Sequence, residues 1–182
     1  MKTSLAILPV LFLAACASSP YKYYVEPTPL EANKTKYELR NLEVNLRLGD
    51  GAKPGDESFA TQAQLRDEFE KSLRNHMKSK NILATDNSDN IHVDVSIDYL
   101  RRFNIGGGSL NKPELAHTVT ISRDGEKLAS FSQSGYTTKY GYLDDAAVNF
   151  EIAAFSWDAE DEPKDVELVS EIIVKDLAKV GS

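Results

Sequence analysis

The chain contains a single thiol, at Cys16, and the position of that thiol is its most informative chemical feature. A short positive start, Met1 to Ser4, precedes an uncharged apolar run from Leu5 to Phe12 and then small residues. This order is typical of a secretory signal, and the run is shorter than the roughly 20 apolar residues that a membrane span needs. Residues 1–15 are therefore predicted to be a cleaved signal peptide, with Cys16 directly behind it.

Leu13, Ala14, Ala15 and Cys16 resemble the lipobox of bacterial lipoproteins, and they stand where that motif occurs. The resemblance implies that a signal peptidase recognises Leu13, Ala14 and Ala15 and cleaves before Cys16, which then carries a diacylglycerol thioether and an acylated amino terminus. Several acyl chains would anchor the chain permanently in a lipid bilayer, because each buried methylene contributes ~0.8 kcal/mol. The alternative is an ordinary signal peptide with a chance cysteine.

The residue after the cysteine bears on the choice of membrane. In lipoproteins of Gram-negative bacteria an aspartate there tends to retain the protein at the inner membrane, and this chain has Ala17. The resemblance therefore implies a periplasm-facing protein anchored to the outer membrane. A Gram-positive source would instead place it on the outer face of the cytoplasmic membrane.

The composition indicates an ordinary globular domain with an acidic surface. Apolar residues make up 41% and charged residues 27% of the chain, and the formal net charge is −7. Because an acidic surface repels nucleic acid, no nucleic-acid partner is predicted. Lipidation would consume Cys16, which excludes disulfides, thiol catalysis and cysteine metal sites, and no cofactor is predicted.

Carboxylates and histidines are the remaining groups that could do chemistry. Asp94 and Asp98 fall on one face of a predicted strand, where side chains two residues apart are ~7 Å apart, a spacing compatible with paired acid–base catalysis. The alternative, which we favour, is the polar outer face of an amphipathic strand. His117 shares the parity of its apolar neighbours, which favours a partly buried, hydrogen-bonded side chain over a catalytic base.

Motifs for metal binding or nucleophilic catalysis are absent from the sequence. The three histidines form no His-x-x-x-His or His-x-His pair, and no Gly-x-Ser-x-Gly elbow occurs. Asp86 to Asn90 resembles the start of a calcium loop, but Ile91 and Ile97 stand where that loop needs a glycine and an acid. We therefore predict a turn there, no metal site and no catalytic residue.

Alternating apolar and polar residues predict the strands that position these groups. Leu42 to Leu48 and Ile91 to Tyr99 both have the period of two, and a bulge is expected near Asn41. A further alternating run, Leu115 to Ile121, leads into Asp124-Gly125, a strong hairpin signal. A type I′ turn there would place Thr118 opposite Phe131, so the return strand is expected to have a mixed face or a bulge.

The predicted helices follow from four-residue spacing and end signals. Leu65 to Met77 forms an apolar stripe, preceded by a capping box of Thr61 with Gln64. Residues 143–157 fit a helix better than a strand. Residues 158–162 are expected to be an acidic linker, after which Pro163 opens the last helix.

This order predicts an α+β two-layer sandwich, in which helices cover one face of a mainly antiparallel sheet in the succession β-α-β-β-β-α, with one or two carboxyl-terminal helices. The helix between the first two strands is the crossover that lets them lie side by side. The arrangement resembles the amino-terminal domain of TolB and small outer-membrane lipoproteins that share it, including penicillin-binding-protein activators. The resemblance is topological and carries over no site residue except Cys16.

The predicted domain organisation has three parts. Residues 1–15 are the signal peptide, residues 16–36 are the lipidated cysteine with an extended, proline-containing tether, and residues 37–182 are one α+β domain. At ~3.1 Å per residue, such a tether could reach roughly 60 Å from the membrane.

These features predict a non-catalytic lipoprotein that acts as a protein-interaction or envelope-assembly module, with an unidentified envelope partner. One alternative is an envelope hydrolase that uses surface carboxylates. The other is a carrier of a small apolar ligand held between the sheet and the helices.

Overall fold

The computed structural model describes residues 21–25, 29–85, 91–103, 113–136 and 157–181. These residues form strands and helices in an order that confirms the predicted α+β class and the succession β-α-β-β-β-α, with one additional strand ahead of it. The strands are β1 (Tyr21–Val25), β2 (Glu38–Leu48), β3 (Ile91–Arg101), β4 (Glu114–Arg123) and β5 (Glu126–Tyr136). The helices are α1 (Gln62–Ser79) and α2 (Glu162–Ala178).

The strands form one mixed sheet in the order β1-β5-β4-β3-β2. β2 and β3 are parallel neighbours, and the other three pairs are antiparallel. Parallel neighbours need a crossover connection, and α1 supplies it as predicted. The expected bulge in β2 is confirmed, because the register with β3 shifts between Leu39 and Asn41.

The β4–β5 hairpin contains the predicted turn and a bulge. Asp124 and Gly125 both have positive φ, 52° and 84°, as a type I′ turn requires. Beyond the turn the register shifts, so that Ile121 lies opposite Ala129 and Val119 lies opposite Phe131. Of the two expected outcomes, a bulge or a mixed face, the structure has the bulge, which keeps apolar side chains of both strands on the core face.

The helix α1 begins where the sequence indicates, and α2 begins one residue earlier than expected. The Thr61 side chain accepts from the Gln64 backbone N–H, and the Gln64 side chain accepts from the Thr61 backbone N–H, which confirms the capping box. Pro163 lies in the first turn of α2. The interpretation of residues 158–162 as a linker is wrong at its last position, because Glu162 is the first residue of α2 and is buried.

The core lies between one face of the sheet and the two helices. Alternate residues of β3 are buried, and residues directly opposite them on β2, β4 and β5 share that face. The helices contribute apolar stripes, which are the predicted Leu65, Phe69, Leu73 and Met77 from α1 and the residues Val166, Val169, Ile173 and Leu177 from α2. This packing is the two-layer arrangement expected from the sequence.

The folded domain begins earlier than the predicted boundary at residue 37. β1 pairs with β5 along its whole length, from Tyr21 opposite Gln133 to Val25 opposite Ala129. Leu30 belongs to the core, and the backbone N–H of Asn33 donates to the Ala178 carbonyl over 2.6 Å. The sheet therefore extends into the segment that was predicted to be a tether.

The outer edge of β2 is covered by side chains of α1. Arg66 Nε donates to the Leu42 carbonyl over 3.3 Å, and Arg74 Nη2 donates to the Leu39 carbonyl over 3.3 Å. The Leu46 N–H donates to Gln62 Oε1 over 3.1 Å. These bonds occupy backbone groups that an edge strand would otherwise offer to another chain.

Some predictions lie outside the described residues. They are the signal peptide and lipobox in residues 1–16, the turn at residues 86–90, and the proposed helix at residues 143–157 except for Trp157. Neither of the two described helices is long and apolar enough to cross a bilayer.

Candidate functional site

Asp94 and Asp98 do not form an acid–base pair in the structure. They are four residues apart on β3, not two, which places their Cα atoms ~13 Å apart, and this corrects the expected separation. Asp94 accepts two hydrogen bonds from the Arg40 guanidinium, one of them from Nε over 2.9 Å. Asp98 accepts from Asn45 Nδ2 over 3.4 Å. Both aspartates therefore lie on the outer face, as the favoured interpretation expected, and each bonds to a residue of β2.

Short hydroxyl side chains occupy the centre of this outer face. Ser96 lies opposite Thr118, which lies opposite Ser132, and in the next row Thr120 lies opposite Ser130. Thr118 is exposed and the other four are half-buried. We call these five residues the hydroxyl face. It presents hydrogen-bond donors and acceptors without formal charge, and the Asp94–Arg40 ion pair stands beside it.

A buried ion pair lies at the opposite side of the sheet, where β3 ends. Arg101 and Glu162 are 5% and 2% exposed, and Arg101 Nη2 donates to Glu162 Oε1 over 2.6 Å. Arg101 Nη2 also donates to the Ala60 carbonyl over 2.8 Å, and the Ala60 N–H donates to Glu162 Oε2 over 2.9 Å. The pair thus joins β3, the segment before α1 and the first residue of α2.

Three aromatic rings surround this ion pair. Phe59 stacks on Trp157 with ring centroids 5.4 Å apart, and Phe103 contacts both rings at 5.3 and 5.8 Å. The Arg101 guanidinium lies 4.9 Å from the centre of the Phe59 ring, a cation–π distance. Trp157 Nε1 donates to the buried Asp165 carboxylate over 2.6 Å. The three rings therefore form one cluster, in which Trp157 is buried and Phe59 and Phe103 are half-buried.

The electrostatics of this cluster are dominated by carboxylates. Burial, followed by the nearby Glu162 charge, raises the pKa of the Glu68 carboxyl. Burial, followed by the charges of Glu162 and Asp165, also raises the pKa of the Tyr99 hydroxyl, so Tyr99 stays neutral. Arg101 is therefore the cation that compensates the buried Glu162.

His117 is buried in the core face of β4. It is 2% exposed, and its Nδ1 lies 2.8 Å from the Tyr136 hydroxyl, with which it shares a hydrogen bond. Its ring packs edge-on against Phe131 and Tyr136. Burial lowers the pKa of His117 to about 4, so it is neutral at physiological pH. The expected hydrogen bond is confirmed, and the burial is nearly complete rather than partial.

The other two histidines pair singly with carboxylates. His76 Nε2 lies 2.8 Å from Glu167 Oε1, and His92 Nδ1 lies 3.1 Å from Glu38 Oε2. Within the described ranges, histidine, cysteine, aspartate and glutamate form no group of three or more that could hold a metal ion.

Sequence reasoning did not find the ion pair of Arg101 and Glu162. A usable signal was present, because Arg101 has the inward parity of the otherwise apolar β3 residues. A charge at a core-facing position needs a buried partner. The partner could not be assigned, since Glu162 stands in a run of acidic residues with no distinguishing spacing.

Comparison with known proteins gives weak similarities only. No protein-family description and no curated protein matches the chain. Among solved structures, a PelC dodecamer variant from Paraburkholderia phytofirmans is 9% identical, with 83% of this chain and 97% of that chain covered and a TM-score of 0.30. A minor lipoprotein from Acinetobacter baumannii is 14% identical, with 75% and 91% covered and a TM-score of 0.30.

Proposed function

We propose that the chain is an outer-membrane-anchored, periplasm-facing lipoprotein that is not an enzyme and acts as a protein-interaction or envelope-assembly module. The observation that carries the proposal is the lipobox-like sequence ending at Cys16, five positions before the first strand of the sheet at Tyr21. An acylated Cys16 would connect a membrane anchor almost directly to a folded domain.

The hydroxyl face is the surface best suited to a partner. Its serines and threonines can donate and accept hydrogen bonds, and they are short, so that a partner surface can approach the sheet closely. The β2 edge is a poorer contact site because α1 side chains already bond to its backbone. The contact would therefore use the broad face of the sheet rather than this edge.

The bonding of the charged side chains supports a role without catalysis. Asp94 bonds to Arg40, Glu162 bonds to Arg101, and His117 lies in the core with Tyr136. Each of these groups has a hydrogen-bond partner within the domain. A glycoside hydrolase that uses two carboxylates would need them closer together than Asp94 and Asp98.

The packing between the layers gives no support to the carrier alternative. Buried side chains from the sheet and from both helices form one contiguous apolar cluster in the described part of the domain. An apolar ligand between the layers would have to displace side chains such as Phe69, Tyr99 and Ile173.

Lipid attachment can be tested by metabolic labelling with a palmitate analogue. The parent protein should incorporate the label and fractionate with the outer membrane, whereas the Cys16→Ser variant should not be labelled. Equal labelling of both proteins, or an unlabelled parent that keeps its first fifteen residues, would refute the proposal.

The interaction role can be tested by photo-crosslinking in intact cells. A photoreactive residue at Thr118, on the hydroxyl face, should capture a defined envelope component. The matched control is the same residue at Asn75, an exposed position on α1. If the Thr118 position captures nothing above the background of the Asn75 control, the hydroxyl face is not the contact surface.

A further inference from the structure

The register of β1 determines which end of the sheet lies near the anchor. Tyr21 is the first residue of β1 and lies opposite Gln133, near the carboxyl end of β5. The exposed residues Ser134 and Gly135 follow Gln133, and we call this end of β5 the anchor pole. The hairpin turn at Asp124 and Gly125 lies at the other end of β5, and we call it the distal pole.

The length of chain between Cys16 and β1 limits where the anchor can be. Five residues span at most ~18 Å, so Cys16 lies within that distance of Tyr21 whatever path the chain takes. Ser134 and Glu126 are eight residues apart on β5, which corresponds to ~27 Å. A connection this short keeps the anchor pole near the membrane and cannot extend as far as the distal pole.

The charges at the two poles fit this arrangement. Near the anchor pole, Glu114 at the start of β4 is paired with Arg102 over 3.1 Å, and Ser134 is uncharged. Ser134 and the paired Glu114 and Arg102 therefore add no net charge where β5 ends, and the exposed Asp50 lies farther along the same end of the sheet, beside the end of β3. At the distal pole, Asp124, Glu126 and Lys127 are exposed and charged, which suits an aqueous surrounding.

We propose that the domain lies against the bilayer with its anchor pole toward the lipid head groups, so that the β4–β5 hairpin projects away from the membrane. This inference rests on the proposed lipid attachment at Cys16. It replaces the expected long tether with a fixed orientation. In this orientation the sheet lies at an angle to the membrane plane, so the hydroxyl face is accessible from the side.

The orientation can be measured on the lipidated full chain in phosphatidylcholine vesicles that contain a lipid with a nitroxide-labelled head group. Because lipidation occupies Cys16, a new cysteine is the one site for a fluorophore. The Ser134→Cys label should lose most of its fluorescence to the nitroxide, and the matched Glu126→Cys label on the same strand should keep most of it.

A linker insertion and the palmitate labelling distinguish a wrong orientation from a missing lipid anchor. Inserting about ten flexible residues between Ser19 and Pro20 should make the two labels more nearly equal, because the domain can then leave the surface. If the protein is lipidated and both labels are quenched equally without the insertion, the orientation is wrong while the lipid anchor stands. If palmitate labelling fails, the proposed function itself is wrong.

Discussion

Arg101 and Glu162 form an ion pair in which both side chains are almost completely buried, with Nη2 and Oε1 2.6 Å apart. The pair connects the last residue of β3 to the first residue of α2, and the Ala60 backbone bonds to both partners. A buried pair of this kind is costly to break, because either partner alone is left as an uncompensated charge.

We expect Arg101→Met to destabilise the domain by about 3–5 kcal/mol, since Glu162 would remain buried without its cation. Urea denaturation of the purified mature protein measures this free energy of unfolding. The double variant Arg101→Met with Glu162→Gln should recover part of the loss. If the double variant is as unstable as the sum of the two single variants, the two residues are not coupled.

The stability of the domain should depend on pH through His117. Burial lowers the pKa of His117 to about 4 in the folded protein, from an ordinary value of 6.5. The unfolded chain therefore takes up a proton at higher pH than the folded one does. The resulting stabilisation is complete above pH 6.5 and decreases as the pH falls toward 4, by up to about 3 kcal/mol.

Denaturation curves between pH 7 and pH 4 test this dependence. His117→Gln should flatten it, because glutamine keeps a polar group near the Tyr136 hydroxyl but does not titrate. Thr118→Val, at the exposed neighbouring position, is the control and should keep the slope of the parent. A slope that is the same in the parent and in His117→Gln would contradict the assignment to His117.

The sequence predicted the elements whose signals are local and periodic. The capping box at Thr61, the turn at Asp124-Gly125 and the alternation in β3 each depend on residues close in the chain, and each was confirmed. β1 was not predicted, because the prolines around Tyr21–Val25 indicate only extended backbone. Whether an extended segment joins a sheet depends on a distant strand, here β5.

The candidate site was harder to predict for the same reason. Arg101 and Glu162 are 61 residues apart, and no spacing rule connects them. Asp94 and Asp98 were predicted on the correct face of β3, but the predicted distance between them was too short. Their partners Arg40 and Asn45 belong to the parallel neighbouring strand β2. Contacts across a sheet follow from its register, which the sequence alone left open.

The side chains that cover the β2 edge should prevent self-association. Replacing Gln62, Arg66 and Arg74 together by alanine would free the backbone groups of Leu46, Leu42 and Leu39. We expect this variant to form concentration-dependent oligomers in sedimentation velocity experiments, because an unprotected edge strand pairs with other chains.

The control for this prediction must also remove two cations from α1. Lys71→Ala with Lys78→Ala does so at exposed positions. This control should sediment as the parent does. If the control and the edge variant associate equally, the loss of positive charge rather than the exposed edge is responsible.

Among the glycines in the described ranges, Gly181 should be the least tolerant of substitution, because it packs against the backbone of the segment after β1. It has φ +107°, and a Cβ atom there would lie 2.2 Å from the Leu30 carbonyl oxygen. Gly135 also has positive φ, at +64°, but a Cβ atom there would meet no atom of the described residues within 4 Å. Gly135→Ala is therefore a control for a left-handed backbone alone, whereas Gly181→Ala adds steric overlap and a φ outside the left-handed region that L-residues adopt.

We expect Gly135→Ala to cost about 1–2 kcal/mol of unfolding free energy, from its left-handed backbone alone. Gly181→Ala should cost clearly more, because Leu30 and the carboxyl end of α2 must separate to admit the methyl group. Thermal unfolding of the two variants side by side measures the difference. Equal melting temperatures would mean that residues 30–33 do not pack on the end of α2 in solution.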